Sequence, residues 1–193
     1  MDHDAPHPAL GAVLEQDRGH LPFALIHGEA LVTCATWALS EAGVLPLDAR
    51  TTMAGVVDAE APLVLHDSLC PMTPPDFIAA CVRHAVDEGV VVVGTRPVTD
   101  TVKVVHDGLV GETLDRDGLA LVASPLVVPA TVAAEHADLL DGATLDLAAL
   151  TAALRERTTV VLADAPPTAA RVASPDDVRI LEALTRPKLP DPR

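Results

Sequence analysis

Apolar and polar positions fall into a regular pattern from Pro62 onward. Residues 62–66 are a short apolar run ending at Asp67, and Thr73-Pro74-Pro75-Asp76 carries helix-start chemistry. Residues 77–88 then place apolar side chains at helical spacing, Gly89 stops them, and residues 90–93 are a second apolar run. The spacing predicts a strand, a crossover helix and a strand. Runs that are apolar at every position suit strands covered on both faces. A mostly parallel α/β sheet with flanking helices and right-handed crossovers is therefore expected. Asp67 then lies at the carboxyl end of a strand, the edge at which open α/β sheets bind ligands.

A different texture follows. Residues 102–106 and 109–114 flank Asp107-Gly108, the dipeptide suited to a type I′ hairpin turn, which predicts a β-arm over about residues 97–116. Beyond it, residues 119–128 are an apolar run broken by Ser124-Pro125, residues 129–139 and 147–156 read as helices, and 158–163 as a strand. Ser174-Pro175-Asp176-Asp177 is the capped start of a last helix reaching Leu184. Upstream the pattern weakens, with a strand over 9–14 and a helix over 30–42 closed by Gly43. Residues 187–193 are Pro-rich and are expected to be a flexible tail, leaving 1–186 as a single domain.

Composition narrows the partners. At 193 residues and 49% hydrophobic content, the chain is long enough to bury one sizeable core. Its net charge of −15 excludes electrostatic affinity for nucleic acid or for an anionic membrane surface, both of which require clustered Lys and Arg. The three cysteines, Cys34, Cys70 and Cys81, cannot all pair and form no CxxC, which argues against a disulfide framework. Met1-Asp2-His3-Asp4 lacks the basic start of a signal peptide, and no apolar run reaches the roughly 20 residues of a membrane span. A cytoplasmic location is expected. With two Phe, one Trp and no Tyr, a nucleotide base could not be held on a tyrosine platform, so backbone groups would have to hold it.

The candidate chemistry is sparse. Only two lysines occur, Lys103 and Lys188. His66 and Asp67 are neighbours on a strand and point to opposite faces, which argues against a joint catalytic role. Cys70 precedes Pro71 near a helix start, where thiol pKa values are lowered, but it has no histidine partner in the pattern.

Five patches in order carry a resemblance. His66-Asp67 closes a strand, and Pro97-Val98-Thr99-Asp100-Thr101-Val102-Lys103 and Thr113-Leu114-Asp115-Arg116 follow. Ser124-Pro125 and Arg171-Val172-Ala173-Ser174-Pro175-Asp176-Asp177 complete the set. Together, over roughly residues 62–185, they resemble the 2-C-methyl-D-erythritol 4-phosphate cytidylyltransferase family. The resemblance implies a Rossmann-like nucleotidyltransferase sheet, a β-arm exchanged within a homodimer, and a Mg²⁺-dependent reaction of CTP with a phosphorylated polyol. It places Asp67 and Arg171 in catalytic positions, with Asp67 also the metal ligand, and Thr101, Arg116 and Ser124 in substrate-binding positions.

The nucleotide half departs from the family. The family's glycine-rich loop, whose N–H groups cradle a triphosphate, is matched here by Glu15-Gln16-Asp17-Arg18-Gly19, which adds negative charge where phosphates would sit. Phe23 stands at a lysine position, Cys70 at an arginine position and Ala169 at an asparagine position. The stretch between Phe23 and Asp67 is short for the strand and Gly/Ser-containing segment that grip base and ribose, which implies their loss. Nucleotidyl transfer depends mainly on positioning and neutralising phosphates, so these changes predict a degenerate CTP site and a binding or regulatory homologue. The alternatives are an active enzyme whose triphosphate grip is rebuilt from Arg18, Arg116 and Arg171 with Mg²⁺ on Asp67, and a structural partner of an intact paralogue. A small phosphorylated polyol is the expected ligand.

Overall fold

The structure, a computed structural model, describes residues 8–48, 50–141 and 146–186. The expected flexible tail at 187–193 lies outside the described residues. The chain opens with β1 (Ala9–Leu14), a 3₁₀ turn (Leu21–Phe23) and a short hairpin of β2 (Leu25–Ile26) and β3 (Glu29–Ala30). Then come α1 (Leu31–Glu41), β4 (Val44–Pro46), α2 (Met53–Asp58), β5 (Leu63–Asp67), α3 (Pro75–Glu88) and β6 (Val91–Pro97). A second hairpin, β7 (Lys103–His106) and β8 (Leu109–Thr113), precedes β9 (Ala120–Val128). The remaining elements are α4 (Ala130–Glu135), α5 (Ala137–Leu140), α6 (Leu147–Arg155), β10 (Val160–Asp164) and α7 (Pro175–Leu184).

Six strands form the central sheet in the order β10-β6-β9-β5-β1-β4. Neighbours run parallel except at β9, which is antiparallel to both β5 and β6. The apolar runs are explained by cover on both faces. Every residue of β5 is buried, and successive side chains alternate between two cores. Leu63 and Leu65 join Leu126, Leu150 and Leu154 on one face, while Val64 joins Val92, Val127, Ile78 and Val82 on the other. α3 starts with Pro75 and ends on Gly89, whose φ of 64° is the left-handed cap that a glycine adopts without strain.

Four sequence expectations are revised. β6 runs on to Pro97 because its last residues pair with β9, Thr95 opposite Val122 and Pro97 opposite Ala120. β9 is continuous through Ser124-Pro125, and a register shift between Val93 and Thr95 in β6 accommodates the proline, which has no N–H for the ladder. The helix expected over 129–139 is divided at His136, whose φ of −124° and ψ of 31° leave the helical region. In the stretch that was expected to have lost a strand, β4 pairs in parallel with β1. That stretch also carries α2.

Gly94 lies inside the shifted register. A Cβ there would stand 2.7 Å from the Ser124 carbonyl oxygen and 2.9 Å from its carbon, both backbone atoms that cannot rotate away. Gly94→Ala is therefore expected to destabilise the fold by about 1–3 kcal/mol, read as a lowered urea midpoint. An unchanged midpoint would show that β6 and β9 part there without penalty.

Among the described residues the β7–β8 hairpin pairs with no other strand. Asp107 and Gly108 have φ values of 49° and 77°, the two left-handed positions of the predicted turn. Val105, Leu109 and Val110 of this hairpin are exposed. Among the described residues no helix is long and apolar enough to cross a membrane.

Candidate functional site

The carboxyl edge of the sheet is where β1 and β5 end side by side, with Leu14 opposite Asp67. After β1 the chain bends through Asp17 (φ 57°) and Gly19 (φ 60°), and this turn swings Arg18 back over the sheet edge. Its Nε donates to Asp67 Oδ1 at 2.7 Å, and its Nη1 donates to the Gln16 carbonyl. Arg171, arriving from the loop before α7, donates from Nε to Asp67 Oδ2 at 2.9 Å. The backbone N–H of Leu69 also donates to Oδ1, at 3.0 Å. One carboxylate thus bridges two guanidinium groups.

Electrostatics follow from burial. The side chains of Asp67 and Arg18 are 4% and 8% exposed, whereas Arg171 is 42% exposed. Burial by itself would raise the Asp67 carboxyl, but hydrogen bonds from Arg18, Leu69 N–H and Arg171 outweigh it and hold the group below the usual carboxylate range. The aspartate is therefore ionised and already neutralised by protein cations.

Behind this triad lies a second polar group. The Ser124 hydroxyl, from β9, meets His66 Nδ1 and accepts from the Asp67 N–H at 3.0 Å. His66 and Ser124 are fully buried. Burial lowers the His66 pKa to about 4, the nearby Asp67 charge opposing this only in part, so the imidazole is neutral at pH 7. Its Nε2 has no hydrogen-bond partner among the described residues. His66 and Asp67 do point to opposite sides of β5, as alternation requires.

The sequence-read residues divide accordingly. Asp67 and Arg171 come together. Thr101 and Arg116 lie elsewhere, exposed at the root of the β7–β8 hairpin, where Arg116 Nη1 donates to the Thr99 carbonyl at 2.7 Å. Ser124 is fully buried, and its hydroxyl ties β9 to β5. Cys70 is fully buried, and burial followed by the Asp67 charge pushes its thiol far up, against the weaker influence of Arg171 and Arg18. Its reactive thiolate form is therefore disfavoured. Sequence reasoning missed His66 as the partner of Ser124, and it considered Arg18 only as part of a rebuilt triphosphate grip in the alternative reading, without its pairing to Asp67. A lone arginine in an otherwise acidic loop at the sheet's ligand edge was the available signal.

Divalent metal fits this arrangement poorly. Both Asp67 oxygens are engaged by guanidinium groups, and no group of three or more His, Cys, Asp or Glu side chains suited to a metal occurs among the described residues. Beside the triad, a cleft of about 620 Å³ opens along β1 and β4. Among the described residues its charged lining is Glu15, Asp48 and Asp141 against Arg18.

Comparison with known proteins decides the family. The family model for 2-C-methyl-D-erythritol 4-phosphate cytidylyltransferase matches residues 49–186. The chain belongs to this cytidylyltransferase family. The matched span begins beyond the divergent loop that follows β1. A cytidylyltransferase of this name from Corynebacterium diphtheriae is 30% identical over 86% of this chain and 64% of its own length. One from Frankia casuarinae is 33% identical over 70% of this chain and 50% of its own length. The chain thus spans about half to two-thirds of these curated relatives. The fold agrees with the crystal structure of the Thermus thermophilus cytidylyltransferase, with a TM-score of 0.64 at 22% identity over 90% of this chain and 97% of that one. A solved structure of 4-diphosphocytidyl-2C-methyl-D-erythritol synthase from Anaerococcus prevotii gives a TM-score of 0.65 at 12% identity, covering 93% and 97% of the two chains.

Proposed function

We propose that this chain is a cytidylyltransferase-family protein of isoprenoid-precursor metabolism whose CTP site has degenerated, leaving a binding or regulatory homologue. The observation that carries this reading is the Arg18–Asp67–Arg171 triad: the carboxylate that would hold a metal and two cations that would face phosphates neutralise one another. The acidic cleft beside it and the exposed Phe23 at the lysine position point the same way. Losing one preorganised donor commonly lowers a rate by about 10²–10³, and here several are lost at once.

The surviving ligand in this reading is a small phosphorylated polyol held by Thr101 and Arg116, with a second copy covering the apolar residues of the β7–β8 hairpin. A two-stranded hairpin is marginal alone in water, which supports the homodimer. The other reading, an active enzyme with a rebuilt grip, draws on one fact: Arg18 and Arg171 converge at the strand end, and Arg171 keeps 42% of its side-chain surface.

One set of measurements separates them. Incubation with CTP, Mg²⁺ and 2-C-methyl-D-erythritol 4-phosphate is expected to release no pyrophosphate, and calorimetry with CTP and Mg²⁺ to show no heat of binding. Turnover on the order of 1 s⁻¹ would establish the rebuilt site instead. Calorimetry with the polyol phosphate, run beside sedimentation, is expected to show binding by a dimer; a monomer with no polyol affinity leaves only the structural-partner reading.

A further inference from the structure

A second cavity, of about 600 Å³, lies on the other side of α1 and shares no lining residue with the cleft at the sheet edge. Its volume is that of a site for a small organic molecule. One wall is α1, which presents Trp37 and Glu41; the facing wall is the turn into α3, with Pro71, Met72 and Pro74. Prolines fix the backbone of that turn, so little order is lost when a ligand settles against it. The third wall is the β2–β3 turn, and it is pinned to α7. The His27 N–H donates to Glu182 Oε1 at 2.8 Å, and His27 Nε2 lies 2.7 Å from Thr185 Oγ1. His27 holds a φ of 51° to make both contacts.

Among the described residues the acidic side chains Glu29 and Glu41 line this cavity and no Lys or Arg does. Trp37, the single tryptophan of the chain, is 53% exposed there, an unusual display of a large aromatic face. An aromatic face beside carboxylates attracts a cation through the ring quadrupole and through charge, while the apolar walls take up a hydrocarbon body. Simple apolar ligands would gain nothing from the two glutamates, and anions would be repelled by them.

We propose that this cavity is a binding site for an amphipathic organic cation, an ammonium group carried on an apolar or aromatic body. It is independent of the nucleotide and polyol sites. The ammonium sits at Glu41 and the Trp37 ring, one turn apart on α1, with Glu29 at the other end of that helix adding to the negative field, and the apolar body lies against Met72 and the prolines.

The probe is phenethylammonium, with 2-phenylethanol as its neutral isostere and phenylacetate as its anionic counterpart. Because Trp37 is the only tryptophan, its fluorescence reports occupancy of this cavity and no other. Phenethylammonium is expected to give a saturable change in emission at millimolar concentration or below. The alcohol is expected to bind about fivefold more weakly, the scale of an exposed cation–π contact plus an exposed ion pair, and phenylacetate more weakly still. Glu29→Gln with Glu41→Gln, both surface changes, is expected to erase the preference for the ammonium while leaving the thermal midpoint in place. Equal affinity for the ammonium and the alcohol, an unchanged preference in the double variant, or no saturable signal at all would each overturn the proposal.

Discussion

Asp67→Asn is expected to destabilise the protein by about 3 kcal/mol, although the side chain hardly changes in size. Removing one partner of a buried ion pair typically costs about 3–5 kcal/mol, because the other charge stays buried without compensation. Arg18, 8% exposed, then lacks the Asp67 carboxylate while keeping its bond to the Gln16 carbonyl. Arg171 at 42% exposure regains solvent, which places the estimate at the low end. For a chain of this length that corresponds to a melting temperature lower by about 6–12 °C. Arg171→Ala, which removes the exposed partner, is expected to stay within about 1 kcal/mol of the parent. Calorimetric melting of the two variants checks the asymmetry. Equal melting temperatures would mean that the triad is a surface feature and that Asp67 is available to a ligand.

Acidification is expected to weaken the fold through His66. In the unfolded chain this imidazole takes a proton near pH 6.5, whereas in the fold burial delays it to about pH 4. Between those values the unfolded state binds the extra proton, so stability falls as pH falls, by about 1.4 kcal/mol per pH unit and on the order of 3 kcal/mol in all. Above pH 6.5 this contribution is fully present. Asp67 acts lower down: its depressed carboxyl contributes stability above the ordinary aspartate range, lost as pH drops through its folded value. Urea unfolding at a series of pH values isolates the histidine when His66→Gln is run beside the parent. The glutamine retains a group able to bond Ser124 but does not titrate, so the slope between pH 6.5 and 4 is expected to flatten. Parallel slopes in both proteins would mean that His66 protonates without unfolding its surroundings.

The unit β5–α3–β6 was legible because its signals are local: a proline-started helix, a left-handed glycine stop, and strands apolar at every position. The β7–β8 turn was legible for the same reason, since Asp107-Gly108 alone fixes its geometry. β4 was not, being three residues between a glycine and a proline-ended edge. The site divided along the same line. Asp67 could be placed at a ligand edge from its strand, but its partners lie 49 and 104 residues away, and no local pattern announces pairings set by tertiary approach. Ser124-Pro125 was read as a break because Ser-Pro favours turns, whereas β9 is continuous and the Ser124 side chain goes inward to His66.

β5 and β6, though joined by α3, are not neighbours: β9 is wedged between them and bonds to both. On the ribosome, the first half of the protein therefore emerges with two apolar strand edges that face one another across a gap and have nothing to pair with. Only when residues 120–128 leave the exit tunnel can that gap be filled, so until then those edges are open to the wrong partner.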